Sequence, residues 1–175
     1  MPAPRGFLNK LVAVNGAIAT VLFGALTVIV SLQVLTRFVL HMPFIWSEEL
    51  ARFLFFWVVL LGAAMSVKNR RHFVIDVTMG RVDTWSPTLR FGFSAIPHLC
   101  ILAFAALLFV QGIGYTKIGL LRTATNSRLN MALVYAAIPT FAALTFIYAL
   151  GNLLLDYRTH VRGRAPEPLE PPMAE

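Results

Sequence analysis

Residues 44–76 read FIWSEELARFLFFWVVLLGAAMSVKNRRHFVID. A charged, tryptophan-tipped turn runs straight into an apolar segment, which ends on a basic cluster and His72. Glu48, Glu49 and Arg52 lie beside membrane-grade hydrophobicity. An unpaired charge in hydrocarbon costs several kcal/mol, so such groups belong at an interface or against a partner. This block places the protein in a bilayer and is where specificity is expected to show.

Working outward, the rest of the chain has the same character. Of its 175 residues, 58% are hydrophobic and only 13% charged, against about 25% in soluble domains. Leu11 to Thr36 holds no Asp, Glu, Lys, Arg or His, and Phe53 to Val67 is likewise uncharged. Phe91 to Thr116 contains His98 alone of these five residue types, and Leu129 to Leu155 contains none. A hydrocarbon core of ~30 Å takes about 20 helical residues to cross. Three gaps reach that length alone, and the second does when its helix starts near Trp46. The expectation is an all-α integral membrane protein with spans at about 11–36, 46–67, 88–116 and 129–155, forming one membrane domain.

The formal net charge is +7. The cations flank the apolar spans, as membrane topology requires, and show none of the aromatic interleaving of a nucleic-acid surface. Ten of the Lys and Arg residues fall in the N-terminus, the 68–90 connection and the tail, and five fall on the other side. Positive-inside bias therefore predicts both termini in the cytoplasm. The 26-residue first gap exceeds the ~7–15-residue apolar core of a secretory signal, so a retained first span is expected. One cysteine, Cys100, reads as a small core residue and leaves the redox compartment undetermined.

Gly16 and Gly24 offer close helix contact in the first span. Pro43 is expected to hold His41-Met42 extended, and Ser47 could cap the second helix. The 73–82 segment can form a short interfacial helix, and Ser86-Pro87 suits the start of the third span. Pro97 and Pro139 are each expected to free a backbone carbonyl and kink their spans. Residues 163–175 are composed as a disordered cytoplasmic tail.

Arg52 follows Glu48 by four residues and Glu49 by three, so both acids can reach it on a helix. They can serve as a local ion pair at the headgroups, as docking groups for basic residues of another membrane subunit, or as a proton or cation site. The last normally needs mid-membrane depth. Trp46 suits an interfacial belt. Trp57 lies deeper, with Gly62, Ala63, Ala64 and Ser66 following, which favours a packed partner over lipid. Lys68, Arg70 and Arg71 form a cytoplasmic anchor, joined by His72 and, four residues on, Asp76. His98 reads as a polar contact. No HExxH, GxSxG or P-loop is present, and neither an enzyme nor a cofactor is indicated.

The ordered pattern Arg37-Phe38, Trp46-Ser47-Glu48-Glu49-Leu50-Ala51-Arg52, Trp57, Gly62-Ala63-Ala64, His72 and Asp76 resembles the small membrane subunit, DctQ type, of tripartite ATP-independent periplasmic (TRAP) transporters. Residues 36–77 carry the resemblance. It implies a scaffold subunit in the bacterial inner membrane, paired with a large membrane subunit and a periplasmic solute-binding protein. The system it implies takes up an organic acid on a sodium gradient. Arg37, Trp46, Glu48, Glu49, Arg52, Trp57 and Gly62 become candidate partner-interface residues. The alternative is a stand-alone four-helix exporter, against which stands a first span lacking the glutamate that small multidrug exporters carry there.

Overall fold

The computed structural model describes residues 4–41, 44–68 and 87–161. Helix α1 spans Pro4–Phe38, α2 Ile45–Lys68, α3 Pro87–Leu120, α4 Ala132–Tyr135 and α5 Ala137–Val161. Among the described residues the fold is all-α, with four helices long and apolar enough to cross a membrane, Leu8–Phe38, Ile45–Lys68, Ile96–Leu120 and Ala132–Leu154. The expected interfacial helix, Arg70, Arg71, His72, Asp76 and the tail at 163–175 lie outside the described residues.

These segments are helical because, in hydrocarbon, each backbone polar group needs an internal partner, and only a helix supplies one within a single segment. Their surfaces follow the same solvent logic. Val21 on α1 is 71% exposed and Val110 on α3 69%. Such faces would be a liability in water, but lipid tails are their matching medium.

The helices pack in the order α1, α2, α5, α3, with α2 and α5 inside and α1 and α3 flanking. Each flank is joined along one narrow seam. On α1 the covered positions include Val12, Asn15, Ala19, Leu22, Leu26, Ile29, Gln33 and Thr36. Their alternating steps of three and four are the 3.5-residue repeat of a left-handed helix pair. Asn15, 4% exposed, sits in this seam and donates from Nδ2 to the Leu61 carbonyl of α2 at 3.2 Å. One polar residue in such a seam fixes register, because sliding by a turn strands its amide in an apolar setting.

The α3 seam uses small residues at a strict interval of seven. Ala105, Gly112 and Gly119 are all buried. A methyl at Gly112 would meet Pro139 Cδ and N at 2.9 Å, and one at Gly119 would meet Ala132 Cα at 2.8 Å. Bare backbone lets α3 close on α4 and α5 to this distance.

Several local expectations change. Helix α3 continues through Pro97, since neighbouring groups can satisfy the carbonyl a proline frees. The fourth span, Ala132–Leu154, is interrupted at Ala136, three residues before Pro139, as expected of a proline that frees a carbonyl one turn back. Pro139 falls in the first turn of α5, where a missing N–H is tolerated. His41 is left-handed, with φ 52°, rather than extended. A proline limits only the residue directly before it, so it sets no conformation at His41. Ser47 lies inside α2, and its hydroxyl donates back to the Phe44 carbonyl at 2.7 Å instead of capping. Gly16 meets Met65 Cε as a close contact, whereas Gly24 faces open space.

The central packing cluster lies toward the start of α1 and the end of α2. Leu8, Ala64, Val67, Tyr148 and Ala149 form it, with Ile101 and Leu102 of α3 against it. Asn152 of α5 donates to the Val67 carbonyl at 2.8 Å, and Lys68 Nζ donates to Asn9 Oδ1 at 2.9 Å. Helix α2 is thus fastened on both sides at this end.

Candidate partner interface

The opposite end is built around the first turn of α2 and the connection from α3 to α4. That connection is a tight hairpin. Thr123 bridges Asn130, Ala124 N–H donates to the Leu129 carbonyl at 2.8 Å, and Arg128 N–H donates to Ala124 at 3.2 Å. Arg128 is left-handed, with φ 54°, a conformation that costs a non-glycine residue about 1–2 kcal/mol. Asn130 holds the hairpin base. Its Nδ2 donates to the Leu120 carbonyl at the end of α3, and its Oδ1 accepts the Ala132 N–H at the start of α4.

At the hairpin tip the Asn126 and Ser127 N–H groups point the same way, forming a small anion-binding concavity. Glu49 fills it. Its Oε2 accepts from Asn126 N at 3.1 Å and from Ser127 N at 2.7 Å. A carboxylate receiving two backbone N–H groups makes short, charge-assisted bonds, and these hold the tip in its left-handed turn. About two turns further along α2, Trp57 Nε1 donates to the Leu133 carbonyl at 3.0 Å. Helix α2 therefore holds the α3–α4 connection through Glu49 and α4 itself through Trp57.

The two neighbouring acids have separate roles. Glu48, not Glu49, pairs with Arg52, at 3.3 Å, and both partners stay largely exposed. A helix turns about 100° per residue, so adjacent acids cannot share one direction. Glu49 turns inward to the hairpin, and Glu48 turns outward along the helix with Arg52.

The remaining expected site residues divide similarly. Trp46 is exposed and rests its ring obliquely near Phe44, centroids 6.1 Å apart. Arg37 is exposed in the last turn of α1. Gly62 is exposed, and a Cβ there would meet nothing within 4 Å. Lys68 ends α2 at the other end of the molecule, bonded to Asn9. His98 is buried and Cys100 exposed, so Cys100 is not the core residue expected.

Asn15, Asn130 and Asn152 were not singled out from sequence, although each donates to a helix carbonyl on another element or turn. An asparagine within an otherwise apolar run was the available signal. The seven-residue interval of Ala105, Gly112 and Gly119 was equally open to inspection.

The sequence profile of the DctQ component of tripartite ATP-independent periplasmic transporters matches residues 26–159. The chain belongs to this family. The match runs from the middle of α1 into α5 and takes in both acids, the hairpin and Trp57. Among curated proteins, the chain is 41% identical over 66 residues to the sialic acid TRAP transporter small permease protein SiaQ of Vibrio cholerae, covering 37% of this chain and 38% of that one. It is 41% identical over 71 residues to the sialic acid TRAP transporter permease protein SiaT of Haemophilus influenzae, covering 40% of this chain and 11% of that one. It is 26% identical over 137 residues to the isethionate TRAP transporter permease protein DctMQ of Oleidesulfovibrio alaskensis, covering 74% of this chain and 21% of that one. The matched region thus spans well under half the length of each. Family membership makes this a multi-pass membrane protein of a transport family.

Proposed function

We propose that this chain is the small scaffold subunit of a TRAP-type secondary transporter in the bacterial inner membrane. It pairs with a large membrane subunit and a periplasmic solute-binding protein, and the assembled system takes up an organic acid on a sodium gradient. The relatives' names support the system: sialic acid and isethionate are both organic acids, and two of the matches are to much longer permease chains. Both termini lie in the cytoplasm, so the Glu49-bound hairpin faces the periplasm.

The observation that carries the scaffold role is how Glu49 is used. A coupling carboxylate must release and rebind an ion in a polar pathway. Glu49 instead has two backbone donors and fixes a connection between two spans. Its neighbour Glu48 is paired within its own helix. Charge at this end serves assembly.

Reconstitution tests the proposal. The chain alone in proteoliposomes is expected to show no sodium-driven uptake of sialic acid, isethionate or C4-dicarboxylates, and addition of the large subunit and binding protein is expected to restore uptake of the cognate acid. Robust uptake by the isolated chain rejects the scaffold role. An external location for a C-terminal reporter rejects the orientation.

A further inference from the structure

Helix α2 is an inner helix, yet one line along it is bare. Glu48, Arg52, Phe55, Val59, Gly62 and Ser66 are all exposed. Their steps of four, three, four, three and four keep them on one face at a 3.5-residue repeat. The residues between them are buried or half-buried against α1, α5 and the hairpin, apart from Ala63 beside the same line. This is the open side of α2, with α1 to one side and α5 to the other.

Lipid tails suit Phe55 and Val59 but not the pair at the end of the line. The Arg52 and Glu48 side chains are 71% and 73% exposed. The chain also continues outward past them through exposed apolar groups, with Ile45 65%, Phe44 48% and Leu40 59% exposed. An ion pair at the end of an apolar span, with apolar groups beyond it, lies where charges turn toward the interface or toward protein. At the other end of the line, Gly62 and Ser66 allow a second backbone to come close.

We infer that this line seats one transmembrane helix of the large membrane subunit, with a polar group of that helix completing the Glu48–Arg52 pair. The inference rests on the proposed scaffold role and adds the face that performs it. The repeat calls for a helix crossing at a shallow, left-handed angle. Continuity supports the occupant: in two permease relatives the matched region is 11% and 21% of a longer chain, so a longer permease region shares its polypeptide.

The test is photo-crosslinking in the intact complex. Benzoylphenylalanine replaces Phe55 or Val59 and, as controls, Val28 of α1 or Val110 of α3, which are 67% and 69% exposed. Adducts with the large subunit are expected several-fold more strongly from 55 and 59 than from 28 and 110. Adducts with a second copy of this chain, with lipid alone, or equally from all four positions overturn the inference while the subunits still co-purify. Failure of the unsubstituted subunits to co-purify overturns the scaffold role itself. As a second arm, Gly62→Leu is expected to lower co-purification several-fold while leaving the melting temperature of the isolated chain unchanged, since the site borders open space. Unchanged co-purification also overturns the inference.

Discussion

The carboxylate of Glu49 and the backbone N–H of Ser127 lie 2.7 Å apart although 78 residues separate them in the chain. This bond, with its neighbour at Asn126, connects the start of the second span to the turn between the third and the last. The first prediction concerns it. Glu49→Ala is expected to speed amide exchange at Asn126 and Ser127 by roughly tenfold, as befits losing charge-assisted bonds. Glu49→Gln, which keeps a neutral acceptor, is expected to show a smaller change. Hydrogen-exchange mass spectrometry of the purified chain reads both, and unchanged protection in Glu49→Ala removes the hairpin-pinning role.

Trp57→Phe keeps most of the ring and deletes the donor to Leu133. The expected loss is about 1 kcal/mol of stability, the net value of one neutral hydrogen bond. Thermal unfolding in detergent measures it. A loss several times larger would show that ring packing, rather than the N–H, holds α2 to α4.

The glycines divide into two groups. Gly112→Ala and Gly119→Ala each drive a methyl into backbone or ring atoms under 3 Å away, and overpacking of this kind costs about 1–3 kcal/mol. Gly24→Ala meets nothing within 4 Å and is expected to leave the melting temperature unchanged or slightly raised, because alanine favours helix. Equal melting temperatures for Gly24→Ala and Gly112→Ala would contradict the close α3–α5 seam.

Asn15→Leu removes the bond to the Leu61 carbonyl. Interhelical bonds in membranes contribute about 0.6–2 kcal/mol, so a modest drop in stability is expected. The larger effect falls on register. A bis-maleimide crosslink between Asn9→Cys and Lys68→Cys, on a Cys100→Ser background, is expected to form less completely when Asn15 is Leu. Equal yields would show that apolar packing alone sets the α1–α2 alignment.

Glu48→Ala and Arg52→Ala remove an exposed pair that adds little to the isolated chain. Both are expected to insert normally and to weaken co-purification with the large subunit. Normal co-purification from both would remove this pair from the docking surface.

The four spans were legible because charge-free gaps such as Leu11 to Thr36 are long enough to cross a bilayer alone. The Glu48–Arg52 pair was legible because it is local to one helix. The grip of Glu49 was not, because its acceptor role depends on backbone donors whose positions only the folded hairpin sets. The same holds for Trp57, whose partner is a carbonyl 76 residues away. Pro97 and Pro139 looked equivalent in sequence. Only the fold shows the helix running on through Pro97 and interrupted just before Pro139.

The apolar run Leu8–Phe38 has 31 residues, about 46 Å of helix. That is longer than a hydrocarbon slab of ~30 Å, and an over-long apolar helix answers by tilting, kinking or thickening the lipid beside it. Its seam with α2 ties the two helices together, so any lean that α1 takes is shared by α2. Membrane thickness then becomes a mechanical input: a response of α1 to thicker or thinner lipid reaches α2 and whatever rests on it.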